Sequence, residues 1–203
     1  MRKSLLFVWA CMGLVCLMSA CKTSVKSKEW KLVWVEDFDQ KNSFDESVWT
    51  KIPRGTSDWN NYMSYYDSCY AMQDGNLILR GIANHTQKND TAPYLTGGVY
   101  TKGKKLFTGG RVEVCARLQA AKGAWPAIWM LPEKAEWPKG GEIDIMERLN
   151  HDRIAYQTTH SYYTHILGIK DNPPHGGINK INPEEYNIYS VDIYPDSLVF
   201  AVN

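Results

Sequence analysis

Short runs of strict polar–apolar alternation, broken by glycine and proline, constrain this chain more than any other feature. Arg111-Val112-Glu113-Val114-Cys115-Ala116-Arg117-Leu118 places Val112, Val114, Ala116 and Leu118 on one side, and Glu113, Cys115 and Arg117 on the other. That period of two is the mark of a half-buried strand. Residues 75–80 follow a turn signal at Asp74-Gly75, and Gly97-Gly98 and Gly109-Gly110 punctuate further runs. Tyr189 to Tyr194 alternates again, Pro195-Asp196 turns, and Leu198 to Val202 starts another strand. Closely spaced strands with such turns predict an all-β sandwich rather than alternating strand–helix units. No heptad, internal repeat or second domain interrupts the pattern, and residues 151–181 are expected to include a long loop.

One strand carries chemistry. Glu142-Ile143-Asp144-Ile145-Met146-Glu147 packs three carboxylates into six residues. Glu142 and Asp144 share a face by period, whereas Glu147 is out of phase by one. A β-bulge around Ile145-Met146 would restore the phase and gather all three acids on one side. Carboxylates crowded in this way raise one another's pKa. A retaining glycosidase uses such crowding, with one carboxylate as nucleophile and a second, about 5 Å away, as acid and then base. The competing reading is an acidic, solvated strand edge.

GEIDIME (141–147), preceded by Gly123-Ala124-Trp125-Pro126-Ala127-Ile128-Trp129-Met130-Leu131-Pro132, resembles the signature of glycoside hydrolase family 16 in its bulged, laminarinase-like form. Residues 30–39 (WKLVWVEDFD) resemble that family's N-terminal strand, and residues 96–118 its pair of central strands. The resemblance implies a concanavalin-like β-jelly-roll and a retaining endo-β-glycanase with Glu142 as nucleophile, Glu147 as general acid/base and Asp144 as helper. It places Trp125 and Trp129 in the cleft as a sugar platform, against the alternative of a packed core pair. Trp137 becomes a rim aromatic on the loop entering the catalytic strand. His160 matches a position that commonly contacts the acid/base residue or the sugar on the leaving-group side. Asn61, in Asn60-Asn61-Tyr62, resembles a segment that binds the non-reducing side. Tyr62 and Ser64 depart from the family's usual acidic and amide residues there, so a β-1,3- or mixed-linkage glucan and a β-galactan both stay open as substrates. A carbohydrate-binding lipoprotein without turnover is the alternative of a different class.

The N-terminus carries its own pattern. Met1-Arg2-Lys3 is a positive segment, and residues 5–17 form a short apolar run. Leu17-Met18-Ser19-Ala20-Cys21 resembles a bacterial lipobox. That resemblance implies a signal peptide over 1–20, a lipidated Cys21 with a polar tether over 21–29, and location at the bacterial cell envelope, in the outer membrane. An ordinary secretory peptide ending in Cys is the other reading. The remaining 30–203 form the hydrolase domain. The family usually continues beyond the equivalent of Val202-Asn203, so C-terminal strands are expected to be missing and the isolated chain to be poorly soluble.

Composition narrows the partners. With 23 basic and 22 acidic residues, no charge excess points to nucleic acid. A polysaccharide and, through the lipid, a membrane are the expected partners, for a monomer. Five histidines lack zinc-like spacing, and His160 and His165 would lie on opposite faces of a strand. No cofactor is expected, although family members that hold structural calcium make Glu36-Asp37 a candidate. Cys69 and Cys115 are expected to be free thiols.

Overall fold

The computed structural model describes residues 30–40, 42–119 and 121–203. The proposed signal sequence, Cys21 and the tether lie outside the described residues. Residues 32–203 form one compact unit.

The strands follow in chain order. They are β1 (Thr50–Lys51), β2 (Tyr70–Gln73), β3 (Asn76–Leu79), β4 (Gly81–Ala83), β5 (Tyr94–Thr96) and β6 (Val99–Tyr100). After these come β7 (Gly110–Ala116), β8 (Ala127–Met130), β9 (Glu142–Glu147) and β10 (Ile154–His160). The last three are β11 (Gly176–Lys180), β12 (Asn187–Ile193) and β13 (Leu198–Val202). Helix among the described residues is limited to a 3₁₀ turn at Asp67–Cys69 and a π-turn at Tyr162–Ile166. The alternating runs therefore became strands, as their period requires.

Two sheets carry the domain. The front sheet has the order β11-β10-β9-β8 and the back sheet β13-β12-β7, with every pairing antiparallel. Three two-stranded ladders, β1-β6, β2-β3 and β4-β5, complete the pairing. Ile145, Met146 and Ala155 from the front sheet share one core with Tyr189 and Val191 from the back, closed by Leu118 and Ile181. Val112, Ala116, Ile128, Met130 and Phe200 pack against it. On the back sheet the cross-strand pair Arg111–Asp192 is bidentate, at 2.6 and 2.9 Å.

Two expectations change. Residues 30–39 form no strand, and Leu32, Val33 and Val35 are exposed. A β-prone run makes a strand only where a neighbour supplies the ladder, and none of the described strands pairs with this segment. Trp34 instead stacks against Trp49 and Phe107. The 151–181 region is also more regular than expected, because it holds β10, the π-turn and β11, leaving residues 167–175 as the irregular part. Cys69 is buried, Cys115 is exposed, and both are free thiols.

Candidate active site

β9 is the site's foundation. Against β8 its register runs Met130↔Ile143 and Trp129↔Asp144, then resumes at Ile128↔Met146 and Ala127↔Glu147. Against β10 it runs His160↔Glu142 and Thr158↔Asp144, then resumes at Tyr156↔Glu147. β9 thus carries one residue more than either neighbour, and the surplus lies at Ile145-Met146. This is the β-bulge expected from the acid spacing. Both bulge side chains turn inward, Ile145 at 1% and Met146 at 0% exposure, so the slip buries two apolar groups. Ile143 also packs on the core. Glu142, Asp144 and Glu147 consequently share the outer face of the front sheet.

Each outer glutamate receives an indole N–H. Trp137 Nε1 donates to Glu142 Oε2 at 2.6 Å, and Trp125 Nε1 donates to Glu147 Oε1 at 2.7 Å. Trp125 stands just before β8, held beside Glu147 because Arg148 N bonds Pro126 O and Asn150 N bonds Ala124 O beyond the named strand ends. Trp137 sits on the 131–141 turn. Gly141 ends that turn at φ +82°, a left-handed conformation that L side chains rarely adopt, and so aims Glu142. Donors of this kind fix a carboxylate's rotamer.

Asp144 lies between the glutamates with 3% exposure. Burial, then the charges of Glu142 and Glu147, push its pKa up to about 8, and a hydrogen bond to Glu142 adds to the shift. At neutral pH it is therefore protonated and can donate to Glu142. Asp144 Oδ2 also lies 3.2 Å from His160 Nε2, off the line of a hydrogen bond.

The location of His160 departs from one of the two contacts expected for it, that with Glu147. It stands in register with Glu142 and against Asp144, not beside Glu147. The reason is antiparallel pairing: a strand running back from Glu147 places Tyr156 opposite that residue, and His160 falls at the far end. His165 is not on the opposite face either. β10 ends at His160, and the π-turn, capped by Ser161 accepting from Thr164 N, curls back. His165 then packs on Trp137 at 4.4 Å between ring centroids and stands 6.3 Å from the His160 ring. A strand-based reading had no signal for this turn beyond the Ser161-x-x-Thr164 capping pair.

Trp129 lies on the acid face, in register with Asp144, and meets Trp59 edge-on at 5.1 Å. Trp59 was missed from sequence, although it directly precedes Asn60-Asn61. Asn61 Oδ1 is buried without a hydrogen-bond partner among the described residues. Its backbone N–H bonds Ser57 O, which anchors the turn carrying Trp59.

At the calcium candidate Glu36-Asp37, the Glu36 carboxylate is engaged within the protein. Glu36 spends its two oxygens on Phe38 N and Trp49 Nε1, and no group of three potential ligands gathers among the described residues.

Paired glutamates around a buried acid, edged by indoles on an open sheet face, define an acid–base site built to handle sugars. The family model of the XgeA-like catalytic GH16 domain matches residues 55–175. A keratan-sulfate endo-1,4-beta-galactosidase from Sphingobacterium multivorum is 37% identical over 186 residues, which cover 89% of this chain and 43% of that protein. A beta-glucanase from Rhodothermus marinus is 30% identical over 200 residues, covering 93% of this chain and 68% of the relative. The solved laminarinase from Rhodothermus marinus superposes with a TM-score of 0.74 at 29% identity, covering 86% of this chain and 72% of that one. The chain belongs to glycoside hydrolase family 16, and its fold is that family's all-β jelly roll. It spans under half the length of the keratan-sulfate-degrading relative.

Proposed function

We propose that this protein is a retaining endo-β-glycanase acting on β-1,3- or mixed β-1,3/1,4-glucan by double displacement. The observation that carries the reading is the single face shared by Glu142, Asp144 and Glu147 across a bulged strand. Glu142 attacks the anomeric carbon while Glu147 gives its proton to the departing oxygen, breaking the glycosidic bond and forming a glycosyl ester. Glu147 then takes a proton from water, the water oxygen bonds to the anomeric carbon, and the ester bond to Glu142 breaks. Asp144, carrying a proton at neutral pH, donates to Glu142 and holds its carboxyl in place between turnovers. No step requires a cofactor.

Trp125, Trp129 and Trp137 offer ring faces to the glycan, and the buried, unpartnered Asn61 Oδ1 suits a sugar hydroxyl on the non-reducing side. Support for a glucan comes from the beta-glucanase and laminarinase relatives. A β-galactan is the second reading, favoured by the 37% identity to the keratan-sulfate endo-1,4-beta-galactosidase. The protein acts at the bacterial cell envelope as a monomer, held by lipid on Cys21. No helix among the described residues is long and apolar enough to cross a membrane.

Incubation with laminarin, lichenan, agarose, porphyran and keratan sulfate, followed for new reducing ends, tests the reading. New ends from laminarin or lichenan, with the β-anomer appearing first by proton NMR, are the expected result. Ends from the galactans alone would transfer the assignment to the second reading, and none from any glycan would overturn the enzyme.

A further inference from the structure

The bulge that gathers the three acids creates a second problem, and one side chain meets it. Ile145 has no register partner on β8 or on β10. Its carbonyl lies in the sandwich interior, where a polar group without a partner is costly. Gln157 stands on β10 in the gap of the register, between Tyr156 and Thr158. It is 2% exposed, and its Nε2 donates to Ile145 O at 3.0 Å. The same nitrogen reaches Ala201 O on β13, in the back sheet, at 3.4 Å. Its oxygen accepts from Asn179 Nδ2 on β11 at 2.7 Å. Gly177, directly across from Gln157, leaves open space on that side.

We infer that Gln157 is a positioning residue for the general acid/base: its amide, oriented by Asn179, locks the Ile145 carbonyl and thereby fixes the register slip that turns Glu147 toward Glu142. The inference rests on the roles proposed above for those two glutamates. Gln157 touches neither glutamate, since its side chain points to the core face and theirs to the other. Both hydrogen-bonding ends of the amide are engaged, so its orientation is set: the acceptor faces β11 and the donor faces the bulge. A purely apolar residue would fill the same volume and leave the bulge free to relax into the regular ladder. That relaxation would rotate Glu147 out of phase, as the strand period demands.

The test uses the full chain with two substitutions. Gln157→Met conserves volume and removes both hydrogen bonds. Asn179→Ala, on an exposed edge strand, removes only the group that orients the amide. Three readouts are taken beside the wild type: thermal melting, kinetics on two substrates, and the carboxyl carbon-13 titration of Asp144. One substrate is the glycan that the wild type cleaves. The other is the matching dinitrophenyl β-glycoside, whose leaving group needs no protonation.

Misplacement of Glu147 by about 1 Å should lower kcat on the glycan about 10²-fold with little change in KM. The kcat/KM for the dinitrophenyl glycoside should barely move, and azide should restore its kcat by replacing the water that Glu147 activates. Equal losses on both substrates, or no loss on either, would overturn the inference. The titration reads the same displacement without turnover. Loss of the Glu147 charge from its neighbourhood should lower the Asp144 midpoint in Gln157→Met, as in a Glu147→Gln control. An unchanged midpoint overturns the inference. If Gln157→Met does not melt cooperatively, Asn179→Ala decides: a smaller shift in the same directions supports it, and wild-type behaviour overturns it. A wild type that cleaves no glycan would sink the proposed function, while the Asp144 titration would still decide the role of Gln157.

Discussion

His160 Nε2 stands 3.2 Å from Asp144 Oδ2, with the imidazole in register with Glu142 one strand away. The ring therefore closes the Glu142 end of the acid row, and Asp144 lies between a histidine and two glutamates. Burial, and then the charges of Glu142 and Glu147, leave on Asp144 a proton that an exposed aspartate would lose.

Stability should report that proton. The pKa of Asp144 rises from 3.8 to about 8 on folding, so between those values the folded chain binds a proton that the unfolded chain releases. The contribution is complete below about pH 4 and is lost as pH rises through about 8. Melting temperature measured at several pH values should fall more steeply across this window for the wild type than for Asp144→Asn. Parallel profiles would show that Asp144 has no raised pKa.

Removing either outer acid should abolish most turnover and leave the fold. Glu147→Gln is expected to lose about 10²–10⁴-fold in rate on a natural glycan. Glu142→Ala removes the proposed nucleophile and should lose at least about 10³-fold. Initial rates on the cleaved glycan, with circular dichroism to verify folding, check both. Near-normal turnover by either variant contradicts its role.

Trp137→Phe keeps an aromatic face and deletes the 2.6 Å N–H bond to Glu142. A hydrogen bond to a charged group contributes about 1.5–3 kcal/mol, so kcat should drop about 10- to 100-fold. KM should change less, because ring stacking is kept. A KM effect alone would make Trp137 a sugar platform with no hold on Glu142.

Met146→Ala would hollow the core beneath the bulge, where Met146 has 0% exposure. The expected cost is about 2–5 kcal/mol. For a domain of this size that is a fall of about 5–15 °C in melting temperature. Calorimetry measures it directly, and a change of a degree or less would mean that the site collapses without a void.

Much of this was legible before any coordinates, for reasons that are local. The alternation in residues 111–118 marks its own strand, with Val112 and Ala116 facing the core and Cys115 facing out. The Glu142–Glu147 spacing likewise demands a bulge if the acids are to act together, because period two leaves Glu147 on the wrong side. Trp125 and Trp129 on the acid face follow from the same counting.

Other features depend on partners distant in the chain. The apolar run at 32–35 has the β-prone residues of a strand yet forms none, since a ladder is a property of two segments. His160 faces Glu142 because of strand direction. His165 reaches Trp137 because β10 stops and the chain turns under a Ser161–Thr164 cap.

From its residues alone, then, the chain dictates strands, the acid triplet and the necessity of a slip in β9, because periodicity and charge crowding act within a few residues. Only the packed sandwich decides what holds that slip and where the site's proton resides. The Ile145 carbonyl meets Gln157 from the neighbouring strand, and the burial that raises Asp144 is supplied by side chains that sequence spacing does not bring together.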